Sequence, residues 1–132
     1  MKEYSYQPAD HDSLLEVIRW CQNNLSLRDW TITLDTGHNT PRKLMPGDPH
    51  KFEGRSHIDS DRLFALIWLP IGHFPIDDCG PIEVCMHEMT HVFNADQGLV
   101  DDEQLTRILS PLLYRTYCYE NGIEMAKEKQ IE

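Results

Sequence analysis

The residues best suited to chemistry in this chain are His87-Glu88-Met89-Thr90-His91. On a helix the two histidines lie about 6 Å apart along the axis and about 40° apart around it, so both imidazoles can reach one metal ion. Bound zinc lowers the pKa of its water to about 7, and an adjacent carboxylate can then accept the proton as the water attacks a carbonyl. The motif therefore predicts metal-assisted hydrolysis, with Glu88 as general base.

The residues around the motif predict a helix over about 81–95. At about 100° per residue, its apolar side chains form one stripe that should pack on the core. The members of this stripe are Ile82, Cys85, Met86, Met89, Val92 and Phe93. His87 and His91 lie nearly opposite, which favours two ligands facing a cleft over two unrelated surface histidines.

A catalytic zinc site has three protein ligands and keeps a fourth position for water, so a third ligand must lie outside the motif. No histidine follows His91 in the sequence, and Asn94 and Gln97 replace the glycine and histidine of an extended three-histidine motif. An acidic residue is therefore expected to complete the site. The candidates are Asp96, Asp101, Asp102 and Glu103.

Two of these carboxylates are poorly placed. Asp96 is only five residues beyond His91 and should still belong to the same helix, which makes a return to the metal awkward. Asp101 is suited to cap the last helix, with Gln104 three residues later as in a capping box. Asp102 and Glu103 are therefore the favoured third ligands, with Asp96 and Asp101 as weaker alternatives.

A turn at Gly98 would let the last helix fold back along the motif helix and bring its first turn near the metal. Glu103 has the longer side chain and so the longer reach. It projects away from the apolar residues of that helix, however, whereas Asp102 lies nearer to them. Those apolar residues are Leu105, Ile108 and Leu112. We expect His87, His91 and Glu103 to hold one zinc ion per chain, with Asp102 as the alternative.

A cysteine is the other ligand type to consider. The four cysteines show no Cys-x-x-Cys spacing, so neither a zinc ribbon nor a redox motif is predicted, and buried free thiols are the ordinary interpretation. Cys85 falls in the apolar stripe of the motif helix and is expected in the core. Cys79, after two aspartates, stays a minor alternative.

The rest of the chain predicts the elements that must position this site. In order, these are a helix at 12–25, a strand at 30–34, two strands at 51–58 and 63–69, the motif helix at 81–95 and a helix at 102–119. Residues 38–50 are rich in proline and predict a loop, and 125–132 predict a fraying tail. We expect one α+β domain over 1–132, with an N-terminal helix, a small, mostly antiparallel sheet, the active-site helix and a C-terminal helix.

Composition limits the classes of partner. A hydrophobic fraction of 40% and a charged fraction of 26% are typical of a soluble globular protein, and no apolar run approaches the roughly 20 residues of a membrane span. The formal net charge of -10 disfavours binding to nucleic-acid phosphates. The polar start lacks the pattern of a secretory signal, so a cytoplasmic location is expected.

Residues 80–122 resemble the minimal gluzincin-type metallopeptidases found in phages and prophages. The resemblance rests on the motif at 87–91, a Gly-Leu turn, an acidic cluster, and a leucine-rich helix ending in Tyr-Glu-Asn-Gly, and it covers about a third of the chain. It implies a zincin fold, zinc held by His87, His91 and an acidic residue of the last helix, and Glu88 as general base. The mixed Asp-Asp-Glu cluster departs from the pattern and leaves the third ligand open.

Other residues near the predicted site have two interpretations each. Arg55–Asp59 or Leu63–Leu69 could bind an extended substrate as an added strand, or the latter could be a buried core strand. His57 and His73 are more simply ordinary side chains than ligands. Two helical tyrosines could stabilise an oxyanion, but packing is the expected role of both. They are Tyr114 and Tyr117.

We expect a zinc metallopeptidase that cuts peptide bonds of a peptide or protein substrate. Glu88 would activate the zinc-bound water and later pass the proton to the leaving amine. The alternative is a zinc-stabilised, non-catalytic binding module, such as an accessory protein of a phage or mobile element. Glu88 favours the enzyme, because a purely structural zinc site needs no base beside its histidines.

Overall fold

The computed structural model describes residues 2–4, 9–37, 55–70, 80–99, 103–123 and 128–130. These residues form a small α+β fold of three helices, a three-stranded sheet and a two-stranded ribbon. The loop predicted at 38–50 lies outside the described residues. The same is true of four single residues considered above. They are His73, Cys79, Asp101 and Asp102.

The helices and strands include all six predicted elements in the predicted order, together with two short strands that were not predicted, the first and the last. They are β1 (Lys2–Tyr4), α1 (His11–Asn24), β2 (Thr31–Asp35), β3 (Arg55–Asp59), β4 (Phe64–Trp68), α2 (Pro81–Asp96), α3 (Glu103–Glu120) and β5 (Glu128–Gln130). The three helices begin and end within one residue of their predicted limits. Along the described residues, none of the helices is both long and apolar enough to cross a membrane.

The three-stranded sheet is mixed, so the prediction of a mostly antiparallel sheet is wrong. β4 is the central strand and pairs antiparallel with β3 and parallel with β2. β3 and β4 are joined by the short turn at 60–63, which favours antiparallel pairing. The much longer connection 36–54 leaves β2 free to pair with the far side of β4, since parallel neighbours require a long crossover. Alternation of apolar residues identifies a strand but not its partner.

Residues 125–132 also differ from the prediction. Instead of fraying throughout, this segment contains β5, whose backbone pairs antiparallel with β1. Lys2 lies opposite Gln130 and Tyr4 lies opposite Glu128. Pairing with a segment distant in sequence is a tertiary contact, so the local polar composition at 125–132 does not reveal it.

Helix α2 has clear local signals at both ends. Pro81 is at its first turn, where a missing backbone N–H costs nothing. At the other end Gly98 adopts a positive φ of 69°, and the Leu99 N–H donates to the Asn94 carbonyl at 2.9 Å. This is a Schellman-type ending, which satisfies carbonyls that the helix leaves unpaired. The prediction that Gly98 ends the motif helix is confirmed.

The apolar stripe predicted for α2 forms part of the core. Its residues are fully or largely buried, and α2 packs against α1, α3 and the sheet. The Cys21 thiol on α1 donates to the Met86 sulfur at 3.4 Å. Burial raises the pKa of Cys21 to about 12 and that of Cys85 well above its usual range, so both thiols stay protonated. Cys85 is therefore a core residue, as its place in the stripe predicts.

The buried face of α3 is not the one that its apolar residues predict. Ile108 is 64% exposed and Leu112 is 53% exposed, whereas Thr106 is completely buried. The buried side chains of α3 are Thr106, Ser110, Tyr114, Tyr117 and Cys118. The short Thr106 and Ser110 side chains occupy the part of this face nearest Glu103. Because Glu103 is three residues before Thr106, the same face carries Glu103 toward α2.

Helices α2 and α3 run in opposite directions. Near the C-terminal end of α2, the Asn94 amide donates to the Thr106 hydroxyl at 3.1 Å. Toward its N-terminal end, Cys85 is close to Tyr117, whose pKa is raised mainly by burial and to a smaller extent by neighbours that include Cys85. Tyr117 also packs edge-on against Trp20, with ring centroids 5.3 Å apart. These contacts support the packing role expected for Tyr117.

Candidate metal centre

His87 and His91 direct the same ring nitrogen to a common point. They are one turn apart on α2, and their Nε2 atoms lie 3.3 Å from each other. The two rings meet edge to face, with centroids 4.9 Å apart. The helical spacing of the motif therefore converges the two imidazoles, as predicted.

Glu103, the first residue of α3, brings a carboxylate to both of these nitrogens. Its Oε1 lies 2.9 Å from His87 Nε2, and its Oε2 lies 3.1 Å from His91 Nε2. A tetrahedral zinc ion with bonds of about 2.0–2.1 Å separates its ligands by roughly 3.3 Å. The three side chains thus present donor atoms at spacings that fit a small ion.

Glu88 lies beside this group and is only 6% exposed. His87, Glu88 and His91 each offer one ligand atom, and these atoms all lie within 4.8 Å of one another. The cluster can hold a metal ion. Imidazole and carboxylate donors suit several divalent transition metals, so the donor types alone do not select one of them.

The electrostatic environment favours a neutral His87. Burial lowers the pKa of this imidazole, and the nearby Glu103 carboxylate opposes that effect without reversing it. A neutral imidazole keeps a lone pair on one nitrogen, which a metal ligand must have. Arg107, one turn beyond Glu103, places its Nε 3.5 Å from Oε1 at the exposed side of the site.

We expect the metal-free protein to lose stability as the pH falls below about 6.5. Because the pKa of His87 is lowered in the folded state, the unfolded chain takes up a proton there that the folded chain does not. This contribution to stability is complete above the unfolded-state pKa and is lost as the pH falls through the folded-state value. Denaturant titrations with a chelator present, between about pH 5 and 8, measure it. His87→Gln should flatten this part of the profile, and an unchanged slope would contradict the assignment.

Two buried polar residues behind His91 were not identified from the sequence. Thr106 Oγ1 lies 3.4 Å from His91 Nδ1, the ring nitrogen opposite the one that faces Glu103. Asn94 in turn donates to Thr106 Oγ1. Asn94 lies three residues after His91, and Thr106 lies three residues after Glu103, so helical spacing places each on the face of its ligand. That spacing is the signal that could have found them.

Asp96 contacts Trp30 rather than the two motif histidines. Its Oδ1 accepts a hydrogen bond from Trp30 Nε1 at 2.8 Å, which ties the end of α2 to the residue just before β2. His57 is exposed on β3 and does not belong to the ligand group found among the described residues. Of the predicted third ligands that the structure describes, Glu103 alone reaches the two histidines.

Comparisons with known proteins provide no family for this chain. No protein-family model, no curated protein and no solved structure matches it. Any functional assignment must therefore come from the chemistry and geometry of the site itself.

Proposed function

We propose that this protein is a zinc-dependent metallopeptidase of the zincin type, with His87, His91 and Glu103 as zinc ligands and Glu88 as general base. The observation that carries the proposal is the position of the Glu103 carboxylate, 2.9 and 3.1 Å from the Nε2 atoms of the two motif histidines. With this carboxylate from a separate helix as the third donor, Glu88 is not needed as a ligand and can act as the base.

The donor set supports zinc in an open, catalytic site. Two histidines and one glutamate are a known ligand set of hydrolytic zinc enzymes, and three protein ligands leave one position for water or substrate. Structural zinc sites are instead closed by four protein ligands, usually including cysteine. The described cysteines are buried in the core, and none of them belongs to the group of possible ligands.

Glu88 supports catalysis because its carboxylate lies beside the two histidines, in a buried position next to the proposed metal. When bound, zinc would lower the pKa of a coordinated water to about 7 and polarise the carbonyl of the substrate. Glu88 accepts a proton from the attacking water and then delivers it to the nitrogen of the leaving amine.

Strand β3 supports a peptide as the substrate. It lies at one edge of the three-stranded sheet, whereas β4 already has a neighbour on each side. β3 also contacts α2, the helix that carries the motif. An extended peptide could add to this edge by backbone hydrogen bonds and run past the site. Of the two strands considered for this role, only β3 has an edge position in the sheet that the described residues form.

Metal content and metal-dependent hydrolysis test the proposal together. Purified wild-type protein should contain about one equivalent of zinc per chain, and His87→Ala should contain much less, because a three-ligand site loses one donor. Wild-type protein should cleave members of a peptide library, and a chelator should stop the cleavage. His57→Ala is the matched control for metal content alone, because His57 is an exposed histidine outside the ligand group but on the strand proposed to bind the substrate.

The outcomes distinguish the proposed enzyme from the alternative, a zinc-stabilised, non-catalytic binding module. Zinc below about half an equivalent in the wild-type protein would reject the metal site. Zinc at full occupancy without detectable cleavage of the library would favour the non-catalytic binding module. In that case the metal would serve to join α2 to α3.

A further inference from the structure

We infer that Thr106 is a positioning residue for the metal site, and that its hydroxyl accepts a hydrogen bond from His91 Nδ1–H. This inference rests on the proposed metal site but not on the proposed peptidase activity. Thr106 touches neither the point where the ligands converge nor a substrate. It acts through the orientation and tautomer of one ligand.

The geometry places Thr106 behind His91 rather than beside it. Its Oγ1 lies 3.4 Å from Nδ1, at the long end of hydrogen-bond distances, while Nε2 of the same ring faces Glu103. Thr106 is completely buried, and His91 is almost completely buried. Water therefore has little access to this side of the ring, and the protein must supply the partner of Nδ1.

Metal binding determines which nitrogen carries the proton. A neutral imidazole that donates the Nε2 lone pair to a metal must hold its proton on Nδ1. A buried N–H without an acceptor would weaken the site, and ligand histidines almost always donate this proton to an oxygen. The Thr106 hydroxyl is an oxygen at that position. It is uncharged, so it fixes the ring without adding a further negative charge to the site.

Asn94 holds the Thr106 hydroxyl in place. Its Nδ2 donates to Oγ1 at 3.1 Å, and its Oδ1 is buried without a hydrogen-bond partner among the described residues. Turning the amide over would instead let Oδ1 accept the hydroxyl proton. In either orientation Oγ1 keeps a lone pair for His91 Nδ1–H, because a hydroxyl oxygen can accept two hydrogen bonds.

Two substitutions at Thr106 separate positioning from packing. Thr106→Val keeps the shape but removes the hydroxyl, and it should weaken zinc binding by about 10- to 100-fold, the usual effect of losing a partner of a ligand histidine. Thr106→Ser keeps the hydroxyl but removes a buried methyl group. It should lower the unfolding midpoint of the metal-free protein yet bind zinc nearly as tightly as wild type.

Thr116→Val is the matched control on the same helix. Thr116 is exposed, and its hydroxyl donates to the Leu112 carbonyl, far along α3 from the ligands. Its zinc affinity should equal that of wild type. Competition with a chromophoric chelator measures the zinc affinity of the wild-type protein and of the three variants. Circular dichroism first establishes that each protein is folded.

A nitrogen-15 NMR spectrum of the wild-type protein tests the inference without any substitution. In the zinc-loaded protein, His91 labelled with nitrogen-15 should show its proton on Nδ1, and that proton should exchange slowly with water. A proton on Nε2, or a rapidly exchanging Nδ1 proton, would overturn the inference even if Thr106→Val failed to fold. Wild-type affinity in Thr106→Val would also overturn it and leave the metallopeptidase proposal intact. Absence of zinc binding in wild type would instead reject the metal site on which both proposals depend.

Discussion

Replacing Glu88 with glutamine is expected to reduce peptide hydrolysis by about a hundredfold to ten-thousandfold, the range that general acid–base catalysis contributes. Glutamine has nearly the same shape and can still hydrogen-bond to water, but its amide cannot accept the proton. His87, His91 and Glu103 are unchanged in this variant, so zinc content should remain at the wild-type level. The measurement is kcat/KM on the best substrate of the wild-type protein, with metal content determined on the same samples.

Glu120→Gln is the matched control for this experiment. Glu120 is an exposed glutamate at the far end of α3, and the change removes the same charge from the surface. Its kcat/KM should equal that of wild type. Equal rates for Glu88→Gln and wild type would show that Glu88 is not the base. A loss of both zinc and activity would indicate that Glu88 is a metal ligand.

Replacing Glu103 with alanine is expected to weaken zinc binding by more than about 100-fold, the upper end of what outer partners of ligands contribute. The change removes the carboxylate that lies 2.9 and 3.1 Å from the two imidazoles. It leaves two histidines, which belong to a single helix turn. Chelator competition gives the affinity, and hydrolysis should fall with metal occupancy.

Two further variants are measured beside Glu103→Ala. Asp102→Asn tests the alternative ligand, and Glu120→Ala is the control for removing a glutamate elsewhere on α3. Asp102 is the alternative third ligand, so this experiment compares two neighbouring acidic residues of the sequence directly. If Glu103 is the ligand, Asp102→Asn should keep tight binding, and so should Glu120→Ala. Loss of zinc in Asp102→Asn, with tight binding in Glu103→Ala, would transfer the role to Asp102.

Glu103 lies at the two histidines although the buried face predicted for α3 was wrong. The apolar residues Ile108 and Leu112 predict the buried face, yet both are largely exposed. The face that packs on α2 includes Thr106 and Ser110, two small polar residues that hydrophobic periodicity does not weight. Glu103 was preferred because of its longer side chain. Its direction could be decided only by the packing of the two helices.

The sequence by itself determined the features that depend on local geometry. Helical periodicity places His87 and His91 one turn apart with Glu88 beside them, and that relation holds wherever the helix packs. The same periodicity identifies the core stripe of α2, and Gly98 marks the end of the helix because it tolerates a positive φ. These predictions need no knowledge of distant residues.

Tertiary structure alone decided the contacts between segments distant in the chain. These contacts are the parallel pairing of β2 with β4, the hydrogen bond from Trp30 to Asp96, and the approach of Glu103 to both histidines. Each result depends on the packing of whole elements, which local propensity does not encode. The predicted metal motif was therefore a property of one helix. A site with three donors and a buried partner behind His91 required two helices to meet.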